Sequence, residues 1–290
     1  QTNSSDWHSR RARVILQNRS SKGKIDQNAI FELQNILKNS SNADYRLRAM
    51  WSLHVTHSFA AGQLESLLSD SDEYIRSWAI QLLCEDKSPS ADALMAFTNM
   101  AKEDKSAVVR LYLASALQRI PEASAWKIAS ELTQHAEDSE DHNLPKMIWF
   151  GLEPFVKTNP KLGLELLKNC QVPMIANYIA RRMVDANEHE LSIKTYKAAL
   201  KIDPKLPWIF GYSLYSQLKI CDWSQYNLEI ESMRGRVLQD EQTAPNFIVA
   251  TMIDELSIQL KASQIWVGTP SGDSSLGPLK AQPLKAKIRL

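Results

Sequence analysis

Six side chains able to ligate a metal or move a proton crowd into one short stretch: His135, Glu137, Asp138, Glu140, Asp141 and His142. A zinc centre needs donors converging from fixed scaffolds, as H-E-x-x-H does on one helix face. The spacing here differs, and the stretch reads as a loop in which Asp141 or Asn143 caps the next helix. His54 sits on an apolar stripe beside Trp51, with His57 three residues on. No nucleophile or carboxylate is implied near it, so a hydrogen-bonded core histidine is expected. Glu188, His189 and Glu190 read as a helix start, where acids suit the positive end of the dipole. Cys221-Asp222-Trp223 reads as a helix junction, with Asp222 as cap and Trp223 packed inside.

Arg48, Arg76 and Arg110 recur at one place in a repeated phrase. One reading is an Arg–Asp ladder between successive repeats. The other is a line of exposed guanidiniums on a concave surface that binds acidic partners. These three are the candidate partner-binding residues. No catalytic, cofactor or metal residue is assigned. G-x-G-x-x-G, a Walker loop, G-x-S-x-G, C-x-x-C and an EF-hand loop are all missing from the sequence.

The phrase carrying those arginines organises the chain. In Ser71–Asp86, the residues Ile75, Trp78, Ala79, Leu82 and Leu83 have the spacing of one apolar helix face. Ser106–Arg119 repeats it with Val109, Tyr112, Leu113, Ala116 and Leu117, and Asp44–Thr56 with Leu47, Met50, Trp51, His54 and Val55. Asp6–Gln17 should open the series, with Trp7, Val14 and Ile15 as its contacts. Taking inner-helix starts at Asp6, Asp44, Asp72, Ser106, Asp141 and Pro173, the steps run from 28 to 38 residues. That is two-helix repeat length. From Asn187 the pattern changes: Ser192, Tyr196, Ala199 and Pro204 fit the second half of a tetratricopeptide repeat. The helix over 173–184 is the one candidate for its first half. Helices at 208–220, 222–239 and 247–264 follow. From 267 to 290 Gly, Pro, Ser and Lys predict a flexible tail, and KIRL at its end looks like the start of a strand.

Composition narrows the classes. A net charge of +1 supplies no field for nucleic acid or an anionic membrane. No apolar run reaches the ~20 residues of a membrane helix. Three widely spaced cysteines argue against a disulfide framework and fit buried small hydrophobes. Of nine glycines, Gly268, Gly272 and Gly277 fall in the last stretch, leaving the body poor in the residue of hairpins and phosphate loops. Eight tryptophans are many for this length, and those on stripes are expected to anchor helix pairs. The opening at Gln1, without Met or a signal-peptide core, fits a removed leader or a piece of a longer chain.

Two resemblances add to this. DWHSRRARVILQ, LRAMWSLHVT, DEYIRSWAIQLLCED, VVRLYLASALQRIP and HAEDSEDHNLPKMIWFGLEP occur in this order. Together they resemble the HEAT-repeat segment of PVC-type membrane-bound dehydrogenases. In that family the segment lies between a quinoprotein-like propeller and a cytochrome c domain, which implies a spacer and not an active site. TYKAALKIDP, GYSLYSQLKICDWSQY and KIRL are similar to the region before the catalytic part of SPINDLY-like O-linked N-acetylglucosaminyltransferases. That likeness implies an arm presenting protein substrates, with the transferase chemistry beyond Leu290. One family is exported and the other cytosolic, so no compartment follows.

The expectation is an all-α chain: an α-solenoid of HEAT-like helix pairs over 1–185, a tetratricopeptide-like segment over 186–266, and a tail over 267–290. Its function is that of a non-catalytic scaffold for a protein partner or a neighbouring catalytic domain, without cofactor, nucleic acid or membrane insertion. The alternative is a fragment of either resembled enzyme, with the active site outside this chain.

Overall fold

The computed structural model describes residues 1–185 and 189–268. Glu188, most of the expected tail and the strand expected at 287–290 lie outside the described residues. Among those residues all regular structure is helical, and no helix is long and apolar enough to cross a membrane. The chain divides into two compact units, Gln1–Ile202 and Asp203–Leu290.

The first unit holds α1 (Asp6–Ser20), α2 (Gln27–Asn39), α3 (Ala43–Val55), α4 (Gln63–Ser66), α5 (Glu73–Leu83), α6 (Ala91–Glu103), α7 (Ala107–Ala116) and α8 (Glu122–Leu132). It continues with α9 (Leu144–Thr158), α10 (Pro160–Leu166), α11 (Pro173–Asp185) and α12 (His189–Ile202). Odd-numbered helices from α1 to α11 pack each on the next in one row, and α6, α8, α10 and α12 follow one another in a second. The core lies between the rows, where Leu53, Ile75, Ile80, Phe97, Leu113, Ile128, Leu132 and Ile148 are all fully buried. Truncating Phe97 or Leu113 to Ala should cost about 2–5 kcal/mol.

Caps set the register. The side chains of Asn42, Asp72 and Ser106 accept from backbone amides in the first turns of α3, α5 and α7. Such caps satisfy donors that the helix leaves free. Asp141, as one of the two expected caps, accepts from the amides of Asn143 and Leu144 at 2.8 and 2.7 Å. At Gly151 a Cβ would stand 2.6 Å from the Leu117 Cβ, so only glycine lets α9 approach so closely there. Helix α12 packs on α11, with Ser192, Tyr196 and Ala199 buried. The first unit therefore extends to Ile202, past the boundary expected at 185.

The second unit consists of α13 (Ile209–Lys219), α14 (Tyr226–Leu238), α15 (Asn246–Met252) and α16 (Leu256–Val267). Its core gathers Leu214, Met233, Val237, Ile248, Val249, Ile253 and Ile258. Gly211 lies against Ala244, where an added Cβ would meet the Ala244 Cβ at 2.2 Å. The helix expected to start at Asp222 starts at Tyr226 instead. Asp222 closes a local turn by accepting from Ser224, and Trp223 is 58% exposed rather than packed inside. Cys221, at φ 58°, breaks the helical path just before this turn.

Two further expectations fail at the first helix and among the tryptophans. Trp7, Val14 and Ile15 are exposed, and Ser9 is the buried residue of α1. This helix has a neighbour in its own row but closes an end of it, so its apolar residues find no second wall. Of the eight tryptophans only Trp126 and Trp208 are buried.

Candidate functional site

The recurring arginines form a ladder, though not with the expected first member. Arg76 and Arg110 each lie four residues beyond the capping residue of their helix, and the equivalent position in α3 is Arg46. Arg46 grips Asp70 with Nη1 and Nη2 and donates Nε to the Leu37 carbonyl. Arg76 donates Nε and Nη2 to Asp104 at 2.8 and 2.9 Å, and Nη1 to the Asp70 carbonyl at 2.9 Å. Arg110 does the same to Asp138, both at 2.6 Å, and to the Asp104 carbonyl at 2.8 Å. Each fork thus holds the aspartate ahead of the next helix of the row and a backbone carbonyl just upstream of its own helix. Bidentate Arg–carboxylate pairs fix geometry as well as charge.

Arg48 is the register error. It reaches the carbonyls of Gln1 and Asn3 and lies 3.5 Å from Asp6. Side-chain exposures of 14%, 16% and 3% for Arg48, Arg76 and Arg110 show that they are no line of exposed guanidiniums. Burial pushes the Asp70 carboxyl up. The Arg46 hydrogen bonds, the Asp72 amide and the charges of Arg46 and Arg76 outweigh that and hold it below the usual range. Hydrogen bonding to their aspartates raises the three ladder arginines above the ordinary value.

The acidic loop is spent on the same framework. Asp138 belongs to Arg110. The His135 ring contacts the Ala101 carbonyl and Glu137, each at 2.8 Å. Among the described residues no group of three or more His, Cys, Asp or Glu is placed to hold a metal ion. His54 does have a carboxylate partner, Glu85, which lies 31 residues away and gave no local signal in the sequence. Burial pushes the thiols of Cys84 and Cys170 up to about 11, which keeps them protonated and inert.

What the ladder leaves on the surface is aromatic. Trp51 of α3 and Trp78 of α5 meet edge to face with centroids 4.8 Å apart, and Trp78 is 6.2 Å from Tyr112 of α7. The Arg13 guanidinium of α1 lies 4.8 Å over Trp51. Further along the row Trp149 of α9 packs 5.3 Å from Tyr178 of α11. All five rings are half-buried. Every helix of the first row therefore contributes an aromatic ring or a cation stacked on one. The sequence stripe placed Trp78 in the core. In the structure Ile75, Ala79 and Ile80 fill it, and Trp78 lies along the flank.

A cleft of about 490 Å³ opens across α5, α7 and α9 at this row. Trp78, Leu111, Tyr112, Met147 and Phe150 give it apolar walls, and Lys146 stands among them. Burial raises the Tyr112 phenol, so it stays protonated and can donate. Pro154 shapes the α9 wall. Its ring nitrogen cannot donate to the Phe150 carbonyl one turn back, and the Gln118 side-chain amide does so instead. That bond ties α9 to the end of α7 and leaves the Phe150 ring 57% exposed.

No protein-family model, curated protein or solved structure matches this chain. The arrangement offers apolar, stackable surface on a braced frame, which is the chemistry of docking.

Proposed function

We propose that this chain is a non-catalytic helical-repeat scaffold that docks a protein segment along its first row. The observation that supports it is the run Arg13–Trp51–Trp78–Tyr112, half-buried rings on successive helices that the core does not need. Half-exposed aromatics beside Arg are the usual anchors of protein interfaces. In this reading the first unit is an α-solenoid of HEAT-like pairs, and the α11–α12 hairpin, with Ser192, Tyr196 and Ala199 buried, is its tetratricopeptide-like part. The bound segment belongs to a protein partner or to a neighbouring catalytic module, as both resemblances imply.

Capture experiments with the full chain test this. Wild type should retain a partner that the Trp78→Ser/Tyr112→Ser variant loses. A control on exposed sites of α2 and α6, Phe31→Ser/Met95→Ser, should keep it. Loss with the control and not with the first-row variant would refute the assignment.

A further inference from the structure

The cleft across α5, α7 and α9 has one charge sign. Its lining holds a single cation, Lys146, and no acid. Lys146 has no ion pair among the described residues, whereas Arg46, Arg76 and Arg110 of the same row are all consumed by aspartates. Arg119, just outside the cleft, donates to Gln81 at 2.9 Å and adds a second positive charge at that rim. An ammonium beside apolar walls is unmatched among the described residues, and a carboxylate brought by a partner would match it.

We infer that this cleft binds an acidic peptide segment, seating an apolar or aromatic side chain between Trp78, Met147 and Phe150 while a neighbouring carboxylate pairs with Lys146. The inference rests on the scaffold reading and names the partner chemistry for it. Three helices spaced ~8–10 Å apart present a front of about 20 Å, which roughly six extended residues would span. Gln81, Ser115 and Asn143 supply side-chain hydrogen bonds for the backbone of such a segment. Single-stranded nucleic acid also stacks on aromatics, but it brings a phosphate with every nucleotide. One lining cation does not serve that charge density.

The test uses fluorescence anisotropy on the full chain with labelled peptides of about eight residues. One alternates Phe or Leu with Glu, a second carries Lys in place of Glu, and a third carries Gln. The Glu peptide should bind about tenfold or more tighter than the Lys peptide, and Lys146→Glu should invert that order. Phe150→Ser, at an exposed position, should weaken the Glu peptide about tenfold with the helical signal unchanged. Equal binding of all three peptides, still lowered by Phe150→Ser, would overturn the acidic choice and leave the scaffold reading standing. No Phe150-sensitive binding at all, together with partner capture indifferent to Trp78→Ser/Tyr112→Ser, would overturn both. Tight binding of an oligothymidylate that Lys146→Glu abolishes would overturn the inference in favour of nucleic acid.

Discussion

The two compact units solve the packing of short helices in different ways. In the first, one device recurs: in α3, α5 and α7 an arginine four residues past the cap holds the aspartate ahead of the next helix of the row and a carbonyl just upstream of its own helix. In the second, each contact occurs once. Gly211 lies beneath Ala244, Trp208 bends the chain at φ 70°, and Arg234 forks directly onto Glu255 at the surface. A repeated device fixes spacing and hand along a row, so the surface it carries repeats as well. The unit built from single solutions shows no such periodic surface among its described residues.

The largest effect should come from breaking the ladder at its most buried rung. Asp138→Ala leaves the Arg110 guanidinium buried without its partner, at a cost of about 3–5 kcal/mol in denaturant unfolding. The joint change Arg110→Met/Asp138→Leu should recover most of that, since removing both charges removes the desolvation cost as well. If the single variant were neutral, the ladder would not brace the row.

Next in size is the closest approach in the second unit. Gly211→Ala places a Cβ against the backbone of Ala244, which cannot turn aside, and should cost about 1–3 kcal/mol. Gly151→Ala in the first unit meets the Leu117 Cβ at 2.6 Å, a less severe overlap than the 2.2 Å at Gly211, and should cost somewhat less. The reverse order in thermal unfolding would undo the contrast between the units.

Acid should act on the ladder in a known direction. The Asp70 carboxyl is held below its unfolded value, so its contribution is complete above about pH 4 and fades as pH falls through the depressed folded value. Asp70→Asn should therefore be less stable than wild type at pH 6, with the gap narrowing as pH falls below the ordinary carboxylate value of about 4. A constant gap across that range would contradict the pairing. The smallest effect belongs to Trp223→Ser, at an exposed site on a turn, which should stay within about 0.5 kcal/mol.

The sequence made much of this frame legible, and its failures share a cause. Ile75 and Val109, Arg76 and Arg110 were readable because helical spacing and caps lie within a few residues. The choice of Arg48 over Arg46 came from aligning the apolar stripes, Ile75 with Leu47 and Trp78 with Met50, whereas the caps Asn42 and Asp72 set the true register. Trp7 and Trp223 looked like core because hydropathy counts a residue's own chemistry and not whether a second wall stands opposite it. Glu85 as the partner of His54, and Gln118 filling the bond lost at Pro154, depend on contacts 31 and 32 residues apart. The aromatic row was hidden for the same reason: one stripe supplied both core and flank, and stacking alone decides which ring goes where.

The most direct test is hydroxyl-radical footprinting of the full chain, alone and with a purified partner obtained by capture. Protection should concentrate on Trp51, Trp78, Tyr112 and Phe150 and spare the exposed Phe31, Met95 and Leu162 on α2, α6 and α10. Protection of those three residues with Trp78 and Tyr112 still fully reactive would contradict the account.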